Sequence, residues 1–113
     1  MKKGTIVLAV FPFTDLSSIK RRPALVISND NEDKKDVIIA FISSVISAKL
    51  LPTDLIISGE NKDFGKTGLH KTSVVKFDKI MTIEKTLLVG EIGDLPVDFI
   101  DEADEKLRIV FGL

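Results

Sequence analysis

Short apolar runs recur along this chain and are broken by polar and turn-forming residues, a rhythm that predicts strands. Val, Ile and other apolar residues dominate six stretches: Thr5–Val10, Ala24–Asn29, Val37–Ile42, Asp54–Ser58, Ser73–Phe77 and Lys79–Ile83. Strands this short and this closely spaced predict a mainly β fold, a small barrel or sandwich. The polar run from Asn29 to Asp36 has the chemistry of an exposed hairpin loop. Gly59, Gly65 and Gly68, set among Asn, Lys and Asp, mark a second loop. The pattern changes after Pro96, where Phe99, Ile100, Ala103, Leu107, Val110 and Phe111 fall at helical spacing. Pro96 suits a first turn, Asp98 and Asp101 suit the positive end, Lys106 and Arg108 suit the last turn, and Gly112 ends it. The expectation is an amphipathic C-terminal helix lying on the barrel. A short helical turn around Ser47–Leu50 is the other helical signal.

Composition narrows the chemistry. With 113 residues, 44% hydrophobic and 29% charged, the chain reads as one ordinary globular domain spanning residues 1–113. It has no cysteine, which excludes disulfides, cysteine-based zinc sites, iron–sulfur clusters and a cysteine nucleophile. A single histidine, His70, excludes a multi-histidine metal site or a pair of catalytic histidines within one chain. The longest apolar runs, Ile6–Val10 and Val37–Ile42, are too short to cross a bilayer, so no membrane partner is expected. Met1-Lys2-Lys3 precedes a brief apolar stretch with no small-residue cleavage site, so the expected location is the cytoplasm. Residues 1–90 carry 14 Lys and Arg against 10 Asp and Glu, whereas residues 91–113 carry 2 against 7. A basic body with an acidic end suits a polyanion on one face, and equally suits a solvated acidic helix.

Three clusters carry candidate chemistry. The connection from Phe11 to Pro23 reads as a surface loop and holds the hydroxyls Thr14, Ser17 and Ser18 before Lys20-Arg21-Arg22. Guanidinium groups offer a planar fork of donors to phosphate. In an extended segment the three cations alternate in direction, so one or two can serve one site. Ser43 and Ser44 end the third strand, where hydroxyls can donate to a phosphate or can bond their own turn. In Val74-Val75-Lys76-Phe77-Asp78, alternation places Lys76 and Asp78 on one face, either as an acid–base pair or as an exposed ion pair of little worth. His70 lies in a Gly-, Lys- and Thr-rich loop and reads as solvated.

Taken in order, these segments resemble the MazF/PemK (Kid-like) toxins. The resemblance runs from Gly4-Thr5-Ile6-Val7 and Phe11-Pro12-Phe13-Thr14-Asp15 through Arg22-Pro23-Ala24-Leu25-Val26 and Ile42-Ser43-Ser44. It continues over Ser73–Ile83 and the closing helix, and so covers nearly the whole chain. The resemblance implies an SH3-like barrel of the CcdB/Kid/MazF type, working as a homodimer. It implies an mRNA interferase: a toxin, silenced by a cognate antitoxin, that cuts single-stranded RNA without metal or other cofactor. It further implies DNA binding in company with that antitoxin, which is expected to be acidic and partly disordered. By the same resemblance Arg22, Ser43 and Asp78 are catalytic, Ser44 lies beside Ser43, and Lys76 stands where Kid-type members carry a catalytic arginine; Lys20, Arg21, Ser44, Lys76, Thr14, Ser17 and Ser18 are the expected RNA-binding residues.

In that chemistry the RNA supplies its own nucleophile, a 2′-hydroxyl attacking the 3′-phosphate to leave a 2′,3′-cyclic phosphate and a 5′-hydroxyl. The protein must position the strand, move protons and stabilise developing charge. This chain departs from the family pattern at four places, carrying Thr5 for Asp, Ser43 for Thr, Lys76 for Arg and Lys79 for Gln. Lys76 offers phosphate a point charge where an arginine offers a fork. Two other readings stand beside the nuclease: a CcdB-like toxin acting on DNA gyrase by protein contact, and a catalytically inactive RNA-binding relative. The gyrase-contacting element of CcdB lies at the chain terminus, whereas Ile109–Leu113 here reads as core.

Overall fold

The computed structural model describes residues 1–12, 19–29 and 32–113. Six antiparallel strands, β1 (Thr5–Pro12), β2 (Ile19–Val26), β3 (Asp36–Ser43), β4 (Asp54–Ile57), β5 (Ser73–Glu84) and β6 (Leu88–Asp94), form one sheet in the order β4-β5-β3-β2-β1-β6. A helix, α1 (Ile100–Phe111), follows a single 3₁₀ turn at Val97–Phe99. Gly112 ends α1 in the left-handed conformation, and the Leu113 N–H donates to the Arg108 carbonyl at 2.9 Å, as a Schellman stop requires.

Both faces of the sheet are buried. Ile6 and Val7 are adjacent, point to opposite faces and are each fully buried. Ile6 joins Leu25, Ala40, Ile42, Leu55, Val75 and Phe77 in a core that α1 covers with Ala103, Leu107 and Val110. Val7 joins Ala9, Ala24, Val26, Val37, Ile39 and Ile83 in a second core, against which Met1 and Leu88 pack. This double burial is why these strands read as continuous apolar runs. The edges β4 and β6 approach through a 3₁₀ turn at Phe64–Thr67 that packs on β6. A Cβ on Gly93 would lie 2.3 Å from the Lys66 carbonyl oxygen, so the two backbones touch there. The result is the small, mainly β barrel with a C-terminal helix.

Several expectations need correction. Lys20-Arg21-Arg22-Pro23 lies on β2, whose ladder with β1 reaches Ile19, so these residues belong to a strand and not to a loop. Residues 73–83 form one strand, because Phe77, Asp78 and Lys79 bulge without breaking it: Phe41 pairs with Lys76 and the adjacent Ala40 pairs with Ile80. β6 was absent from the pattern; it is a mostly exposed edge strand with two glycines. No helix forms at Ser47–Leu50, and Asn29 lies beyond the end of β2. Only Val110 of the terminal Ile109–Leu113 packs on the core; Ile109, Phe111 and Leu113 are exposed.

Candidate active site

The ladder between β2 and β3 stops at Ala24↔Phe41, whereas the ladder between β1 and β2 continues past Pro23. Proline has no N–H to donate, and it falls where β2 ceases to pair on one side. Extending the register by two residues sets Arg22 opposite Ser43, across the gap that this leaves. A cleft of 180 Å³ opens there, lined by Arg22, Pro23, Phe41, Ile42, Ser43, Lys76 and Lys79. Lys76 pairs with Phe41, so residues from three neighbouring strands share one face. Among the described residues three cations and no carboxylate line this cleft, which is chemistry for an anion.

Ser43 is half-buried, and its Oγ accepts the Val45 N–H at 3.1 Å while donating to the Val45 carbonyl at a longer 3.3 Å. The turn therefore orients the hydroxyl, and the weaker of its two bonds is the one a phosphate oxygen would replace. Lys76 is half-buried, and no carboxylate of the described residues lies within ion-pair distance of its ammonium. Across the other ladder Lys76 pairs with Asp54, a buried carboxylate whose Oδ2 accepts the Leu51 N–H at 2.9 Å. That bond closes the loop from Ser44 to Thr53 onto β4.

A second cleft, of 280 Å³, adjoins the first and shares Arg22, Pro23 and Ile42 with it. Leu8, Arg21, Ser44, Leu69, His70, Lys71 and Ile92 are among its further walls. Arg21 and Ser44 thus lie beside the Arg22–Ser43 gap, one residue along each strand. Asp78 does not share the face of Lys76: the bulge breaks the alternation, and Asp78 is exposed outside both clefts. Lys20 is exposed on β2 and also lines neither. Thr14, Ser17 and Ser18 lie outside the described residues. Nothing in the local sequence marks Lys79, His70 or Lys71 as cleft residues. Lys79 reaches the cleft only through the bulge, and the other two only through the packing of residues 64–71 on β6. Among the described residues no three His, Asp or Glu side chains gather as metal ligands.

Residues 2–111 match the family described as PemK-like, MazF-like toxin of type II toxin-antitoxin system. The chain is 34% identical over 109 residues to Endoribonuclease EndoA of Bacillus subtilis, covering 89% of this chain and 90% of that protein. It is 33% identical over 97 residues to Endoribonuclease MazF6 of Mycobacterium tuberculosis, covering 83% and 81%. The fold is similar to that of the Mycobacterium tuberculosis toxin MazF-mt6, with a TM-score of 0.74 at 25% identity over 96% of this chain and 97% of that one. It is also similar to a MazE-MazF crystal structure from Deinococcus radiodurans, with a TM-score of 0.77 at 19% identity over 100% and 96%. A six-stranded antiparallel sheet with a C-terminal helix, carrying a cation-lined cleft, defines a small mainly β barrel of the kind these toxins share. The chain belongs to the PemK-like, MazF-like toxins of type II toxin–antitoxin systems.

Proposed function

We propose that this chain is a metal-independent endoribonuclease that cuts single-stranded mRNA through attack of a 2′-hydroxyl on the adjacent 3′-phosphate. The observation that carries the reading is the gathering of Arg22, Ser43 and Lys76 around one cleft where β2 and β3 part, with no carboxylate among its described lining residues. Arg22 and the Ser43 hydroxyl hold the non-bridging phosphate oxygens, and their donors meet charge that grows in the transition state. Lys76 and Lys79 neutralise the same charge from β5, and Lys20, Arg21 and Ser44 guide the strand on either side. Asp78, beside the cleft residue Lys79 on the bulge, takes the 2′-proton as the 2′-oxygen bonds to phosphorus, and Lys76 or a water it polarises gives a proton to the 5′-oxygen as its bond to phosphorus breaks. Need for a 2′-hydroxyl restricts the reaction to RNA. Relatives named endoribonucleases match more than four-fifths of the chain, which favours this reading over a gyrase-directed CcdB-like one.

The same reading takes residues 1–113 as one toxin domain, acting in the cytoplasm where mRNA is found. It works as a homodimer that covers exposed apolar residues such as Ile46, Leu50, Leu51 and Phe111. An acidic, partly disordered antitoxin lies along the basic clefts and silences it. Structures of a MazE-MazF pair, and of an endoribonuclease in complex with its cognate antitoxin, support that partner. The direct test incubates the purified protein with a long single-stranded RNA in EDTA. Discrete fragments ending in 2′,3′-cyclic phosphate and 5′-hydroxyl are expected; intact RNA would refute the proposal.

A further inference from the structure

The second cleft differs in character from the first. Its floor is apolar, made by Leu8, Pro23, Ile42 and Ile92, while cations and hydroxyls occupy its rim. One wall is the segment Gly68–Lys71, which is held from several directions. The fully buried Thr67 donates its hydroxyl to the Phe64 carbonyl at 2.7 Å and accepts the Leu69 N–H at 3.1 Å. The Ser73 hydroxyl donates to the Lys71 carbonyl at 2.8 Å, and the Thr72 hydroxyl accepts the Gly59 N–H at 2.8 Å. Gly68, at φ +72°, lies so close to β6 that a Cβ would overlap the Ile92 carbonyl. A short loop fixed in this way presents two exposed side chains, His70 and Lys71, to the cleft.

We infer that this cleft is a nucleobase subsite, in which His70 stacks on the base next to the scissile phosphate and Lys71 meets the following backbone phosphate. The inference rests on the RNA-cleaving reading above and extends it to sequence preference. An apolar floor with a basic rim suits a nucleotide, whose base has two apolar faces and whose phosphate is an anion. Sharing Arg22, Pro23 and Ile42 with the cleft of Ser43 places the occupant one nucleotide away from the reacting bond. Imidazole is among the flat side chains on which unstacked RNA bases settle. The hydroxyl bonds that hold the loop remove its ordering cost, so the subsite can discriminate without first folding.

The test uses two RNA pools with the wild-type protein, His70→Ala, His70→Phe and Lys71→Gln. One pool is cleavable, and its cut sites are sequenced. The other carries 2′-O-methyl riboses, and its bound fraction is sequenced. His70→Ala should relax the base preference at one position beside the cut, with binding of the preferred base falling about 5- to 100-fold. His70→Phe should retain most of that binding, since the stacking face remains. Lys71→Gln should weaken all sequences alike and lower the slope of log affinity against log salt by about 0.7. An unchanged sequence preference in His70→Ala would overturn the subsite. If wild-type protein selects sequences from the 2′-O-methyl pool and His70→Ala loses that selection, the subsite stands even where the cleavable pool stays intact. That combination would refute cleavage alone. Failure of the wild-type protein to select any sequence would overturn the subsite outright.

Discussion

Replacing Gly93 by alanine tests whether the β4–β5 connection is locked to the edge of the barrel. A Cβ at this position would lie 2.3 Å from the Lys66 carbonyl oxygen and from the Thr67 carbonyl carbon, and 2.4 Å from the Thr67 carbonyl oxygen. Van der Waals separation is about 3.5 Å, so one backbone must retreat from the other by about 1 Å. No rotamer change relieves this, because the obstructing atoms are main chain. Retreat also drags Thr67, whose hydroxyl holds both Phe64 and Leu69. Overpacking costs about 1–3 kcal/mol, and a backbone clash belongs at the upper end, about 3 kcal/mol. At about 4 °C per kcal/mol for a chain of this length, the melting temperature should fall by about 12 °C. Gly90→Ala is the control: it changes the same strand, but a Cβ there meets nothing within 4 Å, and it should gain about 0.4–1 kcal/mol. Thermal melts at one fixed protein concentration, since assembly shifts apparent stability, compare the two variants. Melting temperatures within 2 °C of each other would refute the lock.

Arg22→Ala should melt within about 0.5 kcal/mol of wild type, as an exposed position, while RNA cleavage falls by about 10²–10³; equal cleavage by folded variant protein would remove Arg22 from the site. Ser43→Ala should lose less, because Ser44 or water can offer a hydroxyl in its place, and single-turnover cleavage on the same preparation measures it. Asp78→Asn should slow cleavage without weakening binding to 2′-O-methyl RNA; wild-type rates would move proton removal to another group. Wild-type protein should scatter light as a dimer at micromolar concentration and Leu50→Asp/Leu51→Asp should shift it toward monomer, a shift whose absence would place the interface elsewhere.

The elements that could be read from the chain are those whose residues carry their own reason to be where they are. β1, β3 and β4 are rich in β-branched and other apolar residues buried on one or both faces, and that burial leaves apolar runs in the sequence. The closing helix displays its period, its acidic first turn and its glycine stop within a few residues of one another. Arg22, Ser43 and Lys76 could be singled out because their functional groups suit phosphate wherever they stand. What tertiary structure decided is how residues distant in sequence pair. β6 is mostly exposed and rich in glycine and acid, so its extended state comes from the ladder with β1. Lys20-Arg21-Arg22 reads as loop because nothing in it is apolar, yet pairing with β1 draws it into β2. The bulge at Phe77–Lys79 exists because Ala40 and Phe41 take partners four residues apart, and it alone moves Asp78 off the face of Lys76 and brings Lys79 in. Likewise His70 is a solvated loop residue until the contact of Gly68 with Ile92 and of Gly93 with Thr67 sets its loop beside Arg21. Burial and propensity are properties of a local segment, whereas register and edge contact depend on the neighbouring strand, and so the sequence names the chemistry while packing chooses which groups meet.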